Sequence, residues 1–134
     1  MDLATLYTLT GTVVVEKLGK VQDGERIKVE FRGAAAADSP IVGKAHGSNW
    51  VLIGERGRPG ATTAVQELIT PAGERLVVEL QGYAVSLNGT AMEIRTSGII
   101  RSSAATFADL DGHLALVVQQ IGADDSIRVH AYQF

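Results

Sequence analysis

Residues 61–83 read ATTAVQELITPAGERLVVELQGY, and this stretch decides the fold class. Two segments, 61–70 and 75–83, mix Val, Leu, Ile and Thr with single polar residues. They are joined by Pro71-Ala72-Gly73. Proline at the first central position presets φ and glycine supplies a positive φ, so the chain reverses sharply there. The prediction is a β-hairpin. Either face of each strand reads as interior: Glu67 shares a face with Val65 and Ile69, Gln66 shares one with Ala64 and Leu68, and Glu79 follows Val77.

The same grammar extends in both directions. Residues 3–15 carry Leu6, Tyr7, Leu9 and Val13 to Val15 interleaved with Thr5, Thr8, Thr10 and Thr12, a β-forming composition. A polar link over 16–24 leads to 25–32, where Ile27, Val29 and Phe31 alternate with Lys28, Glu30 and Arg32. Residues 33–40 read as an irregular loop, and 41–45 as a short strand. A small glycine turn at His46-Gly47-Ser48-Asn49 then feeds the apolar run from Trp50. Residues 55–60 are an exposed turn, Asn88-Gly89 marks a tight turn between 84–87 and 90–96, and 98–101 is a further short strand. Residues 102–110 are the helix candidate, capped by Ser102 or Ser103, and strands 114–121 and 127–134 flank a turn at 122–126. About eight to ten strands at roughly 8–12-residue spacing, with one short helix, predict an all-β fold. Consecutive hairpins favour a single antiparallel up-and-down barrel spanning 1–134, since closure removes exposed sheet edges.

Bulk numbers bound the function. The chain has 134 residues, 46% of them apolar and 20% charged, which is the composition of one globular domain. A net charge of −3, with no run of Lys and Arg, speaks against nucleic acid as a partner. Absence of cysteine excludes disulfides and thiolate chemistry. No stretch approaches ~20 consecutive apolar residues, and the first residues do not form a signal peptide, so the expectation is a cytoplasmic protein without a membrane span.

Several motifs are similar to those of the bacterial family known as domain of unknown function 3237. They are Leu6-Tyr7-Thr8-Leu9-Thr10, Gly47-Ser48-Asn49-Trp50, Leu68-Ile69-Thr70-Pro71-Ala72-Gly73 with Val77, Val78 and Gly82, Arg95-Thr96, and Phe107-Ala108-Asp109-Leu110-Asp111. The resemblance covers nearly the whole chain and implies a lipocalin-like, calycin-type barrel. Asn49 stands where the family carries an acid, Asp109 where it carries a tryptophan, and Ala72 where it carries an Asp. Carboxylate chemistry at those points is therefore not implied for this chain, and Asn49 reads as a hydrogen-bonding residue.

An eight-stranded barrel is wide enough for one small ligand, so inward polar groups are where chemistry is sought. Trp50, the only tryptophan, reads as a pocket wall stacking on a flat ligand or as a core anchor. Asn49 would bond the ligand's carbonyl, while Tyr83 and Arg95 would meet an anionic or enolate-like group. Glu93 precedes Arg95 by two residues, which also allows a simple outward ion pair. His46, Glu67 and Tyr7 are the acid/base candidates, a carboxylate in an apolar cavity having a raised pKa. The three histidines lack metal-ligand spacing, so no metal and no cofactor are expected. The leading reading is a barrel that binds a small hydrophobic or aromatic-like molecule in its interior. Two alternatives accompany it: a cofactor-independent isomerase, cyclase or lyase using one interior acid/base residue, and a homodimeric or higher homo-oligomeric module without ligand. An open cavity lined by Trp50, Glu67 and His46 favours the first two, and a solid Val, Leu and Ile interior favours the third.

Overall fold

The reversal at 70–73 forms as its residues predict. In the computed structural model, which describes residues 3–87 and 91–133, Gly73 sits at φ 82° and its N–H donates to the Thr70 carbonyl at 2.9 Å. Around this hairpin the described residues form eight strands. These are β1 (Ala4–Val21), β2 (Gly24–Ala35), β3 (Lys44–Gly54), β4 (Gly60–Ile69), β5 (Arg75–Ser86), β6 (Met92–Arg101), β7 (Leu114–Ile121) and β8 (Ser126–Gln133). Each pairs antiparallel with the next, and β8 pairs back with β1, from Ala4 opposite Gln133 to Thr12 opposite Ser126. The result is a closed up-and-down barrel.

Strand alternation settles which faces point inward. Along β4, Thr62, Ala64, Gln66 and Leu68 are buried while Ala61, Thr63 and Val65 are exposed. On β5, Leu76, Val78 and Leu80 turn inward with Ala84, and Glu79 turns out. Val29, Val78, Ile94, Ile100, Val117 and Val129 from five strands fill the interior. Full burial of one such side chain contributes about 1.5–3 kcal/mol, so this core supplies the main stabilisation.

Four local expectations are corrected. The link at 16–24 is mostly strand, because β1 runs 18 residues to Val21 and bulges between Lys17 and Gly19. The predicted helix over 102–110 shrinks to one 3-10 turn, Ala105–Phe107, since only Phe107 of that turn is buried and no apolar face holds a longer helix. Of the strand expected at 41–45 only Lys44 and Ala45 are strand, and the supposed glycine turn at His46–Asn49 is none, as β3 passes unbroken from Lys44 to Gly54. Gly47 serves close packing there: a Cβ on it would lie 2.4 Å from Phe31 Cε1 and 2.8 Å from the Val65 carbonyl oxygen. The short strands at 84–87 and 98–101 likewise belong to β5 and β6. The Asn88-Gly89 turn lies outside the described residues.

Candidate functional site

Two hydrogen-bonded bridges cross the lumen. Asn49 Nδ2 donates to Gln119 Oε1 at 3.0 Å, and Gln119 Nε2 donates to Asn49 Oδ1 at 2.8 Å. Asn49 lies on β3 and Gln119 on β7, on opposite sides of an eight-strand ring. Tyr7 on β1 donates its hydroxyl to Gln66 Oε1 on β4 at 2.7 Å. A register shift between Thr5 and Tyr7 against β8 lets both Leu6 and Tyr7 be buried at the start of β1. Among the described residues, Gln66 Nε2 and Thr62 Oγ1 are buried without a protein partner. Thr96 donates to the Val117 carbonyl at 3.0 Å. Protein groups meeting one another thus occupy the middle of the barrel.

This changes the standing of two predicted residues. The Asn49 amide is fully buried and engages Gln119 through both its nitrogen and its oxygen, which ties it to the opposite wall of the barrel. Tyr7 is buried, and desolvation pushes its phenol above its ordinary range, so it holds its proton. Its role is structural rather than acid/base. Gln119 was the partner that sequence reading missed. A single amide between inward Val117 and Ile121 on an apolar strand was the available signal.

The remaining predicted residues face outward, because each sits one position from a buried neighbour on a strand. Trp50 is 43% exposed beside fully buried Asn49 and Val51, so it is neither core anchor nor interior wall. The Lys28 ammonium sits 5.5 Å from its ring centroid, within cation–π range. Tyr83 is 60% exposed and lies directly across from Arg95 on β6. Arg95 donates through Nε to Glu93 Oε2 at 2.6 Å, the outward pair that their spacing allowed. Hydrogen bonds from Gln120, then from Arg95, hold the Glu93 carboxyl below its usual range.

Three of the four predicted binding residues nevertheless border one stretch of outer surface. One register row runs Trp50, Thr63, Gln81, Ser97, Leu116 across β3 to β7, and the row beside it runs Ala61, Tyr83, Arg95, Val118. A hollow of about 680 Å³ lies over Ala61, Thr63, Gln81 and Ser97, bounded by Tyr83 and Arg95. A second, of about 330 Å³, has Trp50 and Leu18 at its edge and shares Ala61, Thr62 and Thr63 with the first. The two hollows, together the groove, share Ala61, Thr62 and Thr63, with the larger side chains Trp50, Tyr83 and Arg95 around them.

The acid/base candidates divide. His46 and Glu67 are cross-strand neighbours on the outer face, with His46 Nε2 and Glu67 Oε1 3.2 Å apart. Arg75 binds the other Glu67 oxygen. That bond, followed by the one to His46, lowers the Glu67 pKa, the reverse of the raised value expected for an interior carboxylate. Tyr7, inside the wall, is not part of this cluster. Among the described residues no three His, Asp or Glu side chains gather in a metal-binding group, and no helix is long and apolar enough to cross a membrane.

Comparison with known proteins places this geometry among similar barrels. No family model matches the chain, and no curated protein does. Solved structures do. A protein of unknown function from Clostridium acetobutylicum superposes with a TM-score of 0.82 at 14% identity, over 100% of this chain and 99% of that one. A beta-barrel like protein from Acinetobacter baumannii gives 0.77 at 15% identity, over 98% and 94%. A conserved protein of unknown function from Rhodopseudomonas palustris gives 0.76 at 16%, over 98% and 96%. At these identities the likeness is one of fold, and the chain is a small β-barrel of that kind.

Proposed function

We propose that this barrel binds a small aromatic-like molecule carrying an anionic group, and that it does so on its outer face rather than in its lumen. The observation that carries the reading is the convergence of Trp50, Tyr83 and Arg95, from three strands, around one floor of small residues. The groove's larger hollow, about 680 Å³, falls within the size range of small-molecule sites, ~300–1,000 Å³. A flat ring lies over Ala61, Thr63 and Ser97 with Tyr83 or Trp50 against its faces. The Arg95 guanidinium has five N–H donors, so the bond to Glu93 leaves others for a carboxylate. Membership of the domain of unknown function 3237 family belongs to the same proposal and is supported by the quoted motifs and the barrel topology.

The test uses the single indole N–H of Trp50 as a reporter. In a ¹H–¹⁵N titration, benzoate and phenylacetate shift that resonance together with the amides of residues 61–63 and 95–97. Benzamide binds more weakly, and Arg95→Met weakens benzoate about tenfold, the equivalent of ~1.4 kcal/mol. A ligand that leaves the indole signal still while moving the side-chain amides of Asn49 and Gln119 would return the site to the lumen.

A second reading is self-association through the same face. It is favoured by the exposed Val65, Ile99 and Leu114, which extend the apolar character of the groove across β4, β6 and β7. Sedimentation velocity separates the two readings. A monomer at micromolar concentration supports the ligand groove, and a dimer abolished by Ile99→Lys supports association.

A further inference from the structure

The pairing of β2 with β3 builds a second polar feature, farther along the outer face of those strands than Trp50. Arg32 lies directly opposite His46, and Lys44 is two residues before His46 on the same outer face. Together with the Thr12 and Ser48 hydroxyls they border a hollow of about 560 Å³ over the strand backbone at Gly33 and Gly47. Nothing in the one-dimensional sequence groups these side chains, because 12–14 residues of strand and loop separate Arg32 from Lys44 and His46.

The charges of Arg32 and Lys44 are poorly compensated. Glu30, the only acid on the rim, accepts from Lys28 at 2.8 Å, with Arg32 acting on it through space alone. Glu67, on the far side of His46, is bound by Arg75. Among the described residues Arg32 and Lys44 make no ion pair, and the Thr12 and Ser48 side chains make no hydrogen bond. Arg32 and Lys44, which pairs with Ala34, are diagonal neighbours across the β2–β3 ladder, and like charges so placed repel, a cost that a bound anion reverses. In a chain of net charge −3 this is a local inversion of sign.

The geometry points to a binding site for a phosphate-class oxyanion, held by Arg32, Lys44 and His46. A guanidinium matches two oxygens of a tetrahedral anion at once, the ammonium acts as a point charge, and the two hydroxyls donate to the remaining oxygens. His46 already gives one ring nitrogen to Glu67, which leaves Nδ1 on the other side of the ring. Val14, exposed at the rim, offers an apolar surface beside the anion, so the class of ligand is a phosphate monoester with a small organic group.

The experiment titrates the intact protein with inorganic phosphate and with phenyl phosphate in 150 mM NaCl, followed by ¹H–¹⁵N shifts and by calorimetry. Shifts at residues 12, 32, 44–48 are expected, and phenyl phosphate should bind severalfold tighter than phosphate. Equal affinities would assign the site to free phosphate. In the Arg32→Gln/Lys44→Gln double variant the affinity for both should fall at least tenfold, while the melting temperature, read in parallel, stays within a few degrees. Two results overturn the proposal: shifts reproduced by sodium chloride at matched ionic strength, or affinities equal in wild type and a folded double variant. Because the groove reporters at residues 95–97 lie on β6, away from β1–β3, either site can fail without the other.

Discussion

Asn49 and Gln119 hold each other by two hydrogen bonds across the barrel, from strands on opposite sides of the ring. A reciprocal amide pair satisfies one donor and one acceptor on each residue in a medium where an orphaned group is costly. It also sets the relative height of β3 and β7, which share no backbone ladder. A slip of one residue in either strand would carry its amide to solvent and bury an outward side chain.

Asn49→Leu alone therefore strands the Gln119 amide in an apolar lumen. The loss should be about 1–3 kcal/mol for each orphaned group, measured by urea unfolding. The double variant Asn49→Leu/Gln119→Leu should recover most of it, giving a large coupling energy in a double-mutant cycle. Additive losses would show that the two amides do not depend on each other.

Tyr7 predicts an alkaline limb. Burial raises the folded-state pKa of its phenol, so the stabilisation from keeping it neutral is complete below the unfolded value, about 10. It declines as pH climbs from there toward the folded value. Tyr7→Phe should flatten this limb in melting temperature between pH 9 and pH 11. The same change should lower stability at pH 7 by roughly 1–3 kcal/mol, since Gln66 Oε1 then joins Nε2 in lacking a partner.

Acid acts through Glu67. Its pKa is lowered, first by the Arg75 bond and then by the His46 bond, so its contribution is present above the unfolded carboxyl value of about 4.3 and lost as pH falls below it. Glu67→Gln should reduce the steepness of acid destabilisation between pH 5 and pH 3. Glu93, also lowered, contributes in the same direction and remains in the variant as an internal reference. An unchanged acid limb in Glu67→Gln would mean that the Arg75 contact carries no coupling in solution.

Gly47 tests packing. A methyl group at this position meets both the Phe31 ring and the rigid Val65 carbonyl, so Gly47→Ala should cost about 1–3 kcal/mol by overpacking. Phe31→Leu in the same background should return part of the loss, because the ring is the movable half of the clash. Thermal unfolding followed by circular dichroism reads both.

Much of the fold was legible because it is local. The Thr70–Gly73 reversal and the alternation of Ile27, Val29 and Phe31 need only their immediate neighbours. The orientation of β4 was not legible, as Val65 and Ile69 on one face match Ala64 and Leu68 on the other in apolar character. What turns Gln66 inward is Tyr7, 59 residues away, and what draws Asn49 inward is Gln119, 70 residues away. Gly47 misled for a different reason. A glycine followed by Ser and Asn has the composition of a turn, yet here it is the space beneath a phenylalanine in mid-strand. Which wall of the barrel the candidate binding residues occupy was not legible either, because it depends on the same inward–outward choice. Trp50, Tyr83 and Arg95 share a surface, but it is the outer one.

The β1–β8 seam sets Ala4 opposite Gln133, bringing the first and last strands side by side as ordinary neighbours. In a ring of eight antiparallel strands, this seam differs from the other seven only in that no covalent turn joins its two strands. The exposed segment from Glu55 to Pro59 is one of those seven connections, joining the neighbours β3 and β4. A chain opened there and spliced from residue 133 to residue 4 by a few glycines would keep all eight ladders. Strand order in this barrel is a choice of where the circle is cut.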